Sequence, residues 1–255
     1  MIHWWHYPAL FLTSLAAGFV DAVAGGGGLL TLPVLLATGV SAPMALGTNK
    51  LQSSFGSASA SRVYLRAGAV QWRDCVAGAI WTFIGAGCGA LAVQRLDPEL
   101  LKTIIPFLLA GVLVLILAKP NLGKDERKPL LSVPAFSVLF GLALGFYDGF
   151  FGPGTGTFWA MAYVLALGYD LRRATGHTKV MNFASNFSSL LFFMAGGKVY
   201  YGIGLLMGAG QFVGGRLGSK MVVARGAGFV RPMLVVVASA ITLKLFWARF
   251  VAGAR

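Results

Sequence analysis

The chain has 255 residues, of which 57% are hydrophobic and only 11% charged, with a net charge of +13 at pH 7. Soluble globular domains carry about 25% charged residues, so this composition excludes one and indicates a polytopic membrane protein without a sizeable domain outside the bilayer. The positive charge is scattered over short loops rather than gathered in a block, which suits topology control and contact with anionic lipid headgroups and speaks against a nucleic-acid partner.

In chain order, apolar segments are predicted near 8–24, 28–38, 44–65, 70–93 and 100–118, then again near 132–151, 156–167, 173–194, 199–219 and 229–248. Between the two series lies a hydrophilic joint with Lys124-Asp125-Glu126-Arg127-Lys128. The expected organisation is a first membrane repeat over 1–119, a cytoplasmic linker over 120–131 and a second repeat over 132–255. No positively charged region precedes the first apolar run, since the first Lys or Arg is Lys50, so a secretory signal is not expected.

The duplication extends to individual residues. Gly18-Phe19-Val20-Asp21 leads into Gly25-Gly26-Gly27-Gly28, and Gly145-Phe146-Tyr147-Asp148 leads into Gly152-Pro153-Gly154-Thr155-Gly156. Further on, Ala45-Leu46-Gly47-Thr48-Asn49-Lys50 matches Ala174-Thr175-Gly176-His177-Thr178-Lys179. Segments 28–38 and 156–167 are too short for an ordinary crossing, because about 11 helical residues reach only ~17 Å. Each copy is therefore expected to hold a glycine-broken helical hairpin plus three transmembrane helices. Loop charges set the relative orientation. Arg62, Arg66 and Arg73 in the first half and Arg216, Lys220, Arg225 and Arg231 in the second fall on one face only if the repeats are inverted. Both termini then lie on the periplasmic or extracellular side.

Two intramembrane acids beside glycine tracts point to a transporter site where the repeats meet. Glycine lets backbone N–H groups face a cavity, and a helix starting after the tract adds its positive end, so Gly25–Gly28 and Gly152, Gly154, Thr155 and Gly156 are candidates for an anion cradle. Close helix packing is the competing explanation for the same glycines. Neither tract continues as a nucleotide-binding loop. Lys50 heads a stripe of Ser53, Ser54, Ser57 and Ser61, and Lys179 heads Asn182 and Asn186. Substrate attraction and snorkelling to headgroups compete for the two lysines. Asp21 and Asp148 have three candidate roles: partner to a lysine, cap of a broken helix, or proton carrier. Thr48, Asn49 and His177 complete the candidate substrate-binding set. Cys75, Cys88, His3, His6 and His177 have no metal-ligand spacing, so neither metal nor cofactor is expected. No nucleophile–base pair suggests an enzyme.

These motifs resemble the TauE/SafE sulfite-exporter family, also called the toluene-sulfonate uptake permease family. The resemblance covers essentially the whole chain and is closest to the branch of bacterial inner-membrane proteins described as probable transporters. It implies a multi-pass inner-membrane exporter of small sulfur-containing anions such as sulfite or organosulfonates. In the second copy Pro153 and Thr155 interrupt the glycines, and His177 stands opposite Thr48, so the half-sites are chemically unequal. The expected function is secondary transport by alternating access at the repeat interface, with a small anion and the lipid bilayer as partners; a homodimer is compatible with it. An anion channel is one alternative, and a membrane assembly or docking protein is another.

Overall fold

Helices form here where apolar runs are bounded by glycine, proline or a capping side chain. The structure, a computed structural model, describes residues 6–97, 100 and 128–226. Over these it is entirely helical, with eight helices and no strand: α1 His6–Ala24, α2 Gly27–Ala37, α3 Ala42–Arg66, α4 Trp72–Gln94, α5 Val133–Phe150, α6 Thr155–Ala166, α7 Leu171–Ala195 and α8 Tyr201–Arg225. Segments 100–118 and 229–248 and most of the 120–131 linker lie outside the described residues. The helix expected to end at 219 runs on to Arg225, where a basic last turn suits the negative end of the helix. Asp170 caps α7 by accepting the Arg173 N–H at 2.9 Å, and Ser132 caps α5 through the Ala135 N–H at 3.4 Å.

α1, α4 and α5 are long and apolar enough to cross a membrane. α3, α7 and α8 have 25 residues each, or about 37 Å of helix, but more polar sequences. In α3 and α7 the reason is internal: Thr48, Asn49, Lys50, Gln52 and Ser54 on one, and Thr178, Lys179, Asn182, Ser185 and Asn186 on the other, are buried inside the protein. Many of their hydroxyls return to their own helix. Ser54 donates to the Lys50 carbonyl at 2.8 Å and Ser57 to Ser53 at 2.6 Å, while Thr178 donates to Ala174 at 2.8 Å. Such bonds let a polar residue sit at a helix crossing without a partner from another element.

The two halves exchange their packing. α1 lies along α8, and α4 lies along α5. Glycines make both approaches possible. Gly210 and Gly214 face Phe11, Ser14 and Leu15, and Gly218 faces Phe19 and Ala22, so α1 and α8 run parallel. Gly141 and Gly145 meet Trp81 and Thr82, Gly149 meets Ala86, and Gly89 meets Phe146 and Phe150, so α4 and α5 also run parallel. α3 and α7 cross antiparallel at the centre. Gly47, near the start of α3, abuts Phe193 and the Lys198 carbonyl, and Tyr64, near its end, abuts Gly176.

The short helices pack into the two hydrophobic cores. Leu29, Leu32 and Leu35 of α2 pack with Leu46, Phe193, Ile203 and Met207, whereas Trp159 and Tyr163 of α6 pack with Tyr64, Val70 and Phe136.

The glycine seams make a direct expectation. A Cβ at Gly214 would sit 2.8 Å from the Phe19 amide nitrogen, whereas at Gly202 it would meet only a Tyr200 ring carbon at 3.7 Å. Gly214→Ala is expected to cost about 1–3 kcal/mol by overpacking, and Gly202→Ala to leave thermal denaturation in detergent unchanged or slightly raised.

Candidate functional site

Each half contributes a hairpin whose glycine turn ends at the centre, and the two turns meet there. Gly25 (φ +79°) and Gly152 (φ +98°) take left-handed backbone conformations that favour glycine. A Cβ on Gly25 would lie 2.6 Å from the Thr157 nitrogen, so backbone lies directly against backbone at this junction. Gly28 likewise faces Pro153, and the Thr157 hydroxyl donates to the Ala24 carbonyl at 2.9 Å.

Two lysines hold the turns in place. Lys50 on α3 is 1% exposed, and its Nζ sits 2.6 Å from Asp148 Oδ1 on α5. It also donates to the Asp148 carbonyl and, at 3.4 Å, to Asn186 Oδ1. Lys179 on α7 is fully buried, with Nζ 3.1 Å from Asp21 Oδ2 on α1, and it donates to the Asp21 carbonyl as well. Each lysine therefore grips both a carboxylate and a main-chain oxygen in the last turn of a helix, where the helix is most negative. The pairing crosses between the halves in both cases. Burial of both lysines removes the snorkelling alternative.

The aspartates have different second partners. Asp148 Oδ2 accepts from the Ser185 hydroxyl, while Asp21 Oδ1 accepts the Gly27 N–H at 3.3 Å. Asp21 thus combines ion pairing with capping the start of α2. The Asp148 side chain is 4% exposed and that of Asp21 23%, so the two half-sites differ in solvation. Among the aromatic neighbours of Asp148, Phe151 is buried but Phe146 is exposed and turned outward.

Between the turns lies a polar cavity of about 30 Å³, room for a water or two. Asp21, Gly25, Gly28, Asn49 and Ser53 line it from the first half, and Asp148, Gly152, Gly154, Thr155, Gly156, Asn182 and Asn186 from the second. α2 and α6 both start at this cavity. The N–H groups of Gly28 and Gly156 have no acceptor among the described residues. Asn49 Oδ1 already accepts from Thr31 at 2.7 Å and Gln52 at 2.9 Å, which leaves its Nδ2 donor for an occupant. Asn182 Oδ1 is buried without a partner. Since the lysine charges are matched by the aspartates, an anion here is met chiefly by helix starts, amide donors and hydroxyls.

Other candidates lie elsewhere. Gly26 and Gly27 are off the cavity wall, and a Cβ at Gly27 would come within 2.7 Å of the Asp21 Cβ, so its bareness serves the hairpin packing. Thr48 accepts the Tyr200 N–H at 2.9 Å and fixes the α7–α8 joint. His177 packs at a tilt against Tyr163 and Tyr169, which stack on each other, and donates from Nδ1 to the Arg173 carbonyl at 3.0 Å. Of the serine stripe, Ser53 alone reaches the cavity wall. Ser185 was missed, although Asn182, Ser185, Asn186 and Ser189 form a stripe at helical spacing that would have found it.

Removing one partner from a buried pair leaves an uncompensated charge, at a cost of about 3–5 kcal/mol. Lys50→Met is expected to lose stability on that scale and Lys50→Met/Asp148→Leu to regain most of it. Lys179→Met is expected to cost less, because water reaches the Asp21 carboxylate. Thermal denaturation of the purified variants gives all three values.

Comparison with known proteins agrees with the helical membrane architecture. The pattern of the family described as sulfite exporter TauE/SafE matches residues 10–245. A probable membrane transporter protein of Haemophilus influenzae is 45% identical over 238 residues, covering 93% of both chains. The probable membrane transporter protein YfcA of Escherichia coli K12 is 42% identical, over 93% of this chain and 88% of its own. A more distant relative, the probable membrane transporter protein YdhB of Bacillus subtilis, is 25% identical over 88% of this chain. No solved structure matches significantly. The chain belongs to the sulfite exporter TauE/SafE family of membrane transporters.

Proposed function

We propose that the protein is a secondary transporter that exports small sulfur-containing anions, sulfite or an organosulfonate, across a bacterial inner membrane by alternating access of two inverted repeats. The observation that carries this reading is the meeting of two hairpin turns at one cavity, where α2 and α6 begin and the Gly28 and Gly156 N–H groups lack acceptors. Helix starts of this kind receive anionic groups in broken-helix transporters.

The inverted arrangement draws support from the antiparallel crossing of α3 and α7, which occupy equivalent places in the two copies. With the basic loops facing the cytoplasm, the second copy lies upside down relative to the first. The cavity is too small for a sulfonate as it stands, so passage requires the turns to part. Each turn is latched by a lysine from the other half. Rocking that separates one turn while the second latch holds would open the site to one side at a time. The aspartates serve as latches here, with no proton carried.

Proteoliposomes loaded with sulfite, sulfate, thiosulfate, taurine or sulfoacetate provide the test. Release of at least one sulfur anion well above empty-liposome leakage is expected, falling at least tenfold, about 1.4 kcal/mol, in Asn49→Leu and Asn182→Leu. No release of any of the five rejects the assignment. For Asp148→Asn, residual flux is expected to keep the wild-type pH profile; loss of gradient-driven flux with exchange intact would make Asp148 a proton carrier instead. Reporter fusions at Arg255 and within 124–128 should report opposite sides, with the joint cytoplasmic.

A further inference from the structure

A second polar feature lies away from the cavity, between the end of α3 and the last turns of α8. It is a groove of about 470 Å³ walled by Arg62 and Arg66 from α3 and Arg216 and Lys220 from α8, over an apolar floor that includes Val63 and Phe212. On each helix the two cations are one turn apart, so they point to the same side. All four are exposed. Among the described residues, no carboxylate forms an ion pair with any of them.

Four like charges around one hollow repel each other, and the chain has few acids to offset them, eight against 21 Lys and Arg. No described acid neutralises them, which leaves the groove open to a counterion from outside. We propose that this groove binds the headgroup of an anionic phospholipid, with the two pairs of cations favouring a headgroup that carries two phosphates. A lipid fits better than a dissolved ion because the site is amphipathic. Its apolar floor continues onto a face of α8 where Phe212 (41% exposed), Val213 (42%) and Leu217 (50%) stand outward. Acyl chains can lie along that face while the phosphates stay among the guanidinium and ammonium groups. The inference does not depend on what the central cavity carries.

Native mass spectrometry of the full, delipidated chain can test it by titration with diphosphatidylglycerol, phosphatidylglycerol and phosphatidylcholine. Diphosphatidylglycerol is expected to bind at least tenfold more tightly than phosphatidylcholine. That preference should collapse in Arg62→Gln/Arg66→Gln and in Arg216→Gln/Lys220→Gln, and persist in Arg95→Gln, which lies outside the groove. Equal affinity for all three lipids in the wild type overturns the proposal, and this arm requires no variant to fold. An undiminished preference in both double variants overturns it too. So does full displacement of the lipid by millimolar inorganic phosphate, which would mark the groove as a site for soluble anions.

Discussion

The architecture depends on two buried lysine–aspartate pairs that each join one half of the chain to the other. Taking three charges fully and a fourth largely out of water is costly, and such pairs seldom add net stability over apolar packing. Their value here is positional. Each lysine binds the carboxylate and the main-chain oxygen of the same aspartate, so it fixes both the side chain and the end of the helix that bears it. That fixes where each glycine turn sits. The pairs add to the direct contacts between the turns, Gly25 against Thr157 and Gly28 against Pro153, in holding the starts of α2 and α6 at a common cavity.

Glycine serves this protein in two ways, and the sequence alone could not divide them. Along the α1–α8 and α4–α5 seams, it lets main chains touch where any side chain would intrude. At the turns, Gly28 and Gly156 leave N–H groups at the cavity wall. Within one run of four glycines both uses occur, since Gly25 and Gly28 line the cavity while Gly27 packs against Asp21.

Duplication made much of the fold legible. The short segments, the paired aspartates and the paired lysines each appear twice, and among the described helices the limits fell within about two residues of those expected, apart from the end of α8. What stayed hidden was partnership. Nothing local in the sequence says that Lys50 meets Asp148 rather than Asp21 of its own copy; only the exchange of helices between halves decides it. The serine stripe below Lys50 lies mostly off the cavity for a related reason. A hydroxyl in a helix can bond to the preceding turn, so polarity at helical spacing does not by itself mark a lined path. His177 and Thr48 occupy matched positions in the copies but face a ring cluster and a joint rather than the cavity, a difference set by α6 and α8 from distant sequence.

Interlocked halves also constrain the order in which the protein can be made. Asp21 and Lys179 are 158 residues apart, so at typical synthesis rates about 10–30 s separate their appearance. During that interval α1 is in place without α8, and its acid is without its base. An unpaired charge near the centre of a bilayer is costly, so the nascent first hairpin is expected to wait in a shallow position until α7 arrives. Final seating of α1 is thus a late event governed by the second half, and a ribosome stalled after the linker would leave a first half that lacks the contacts needed to complete itself.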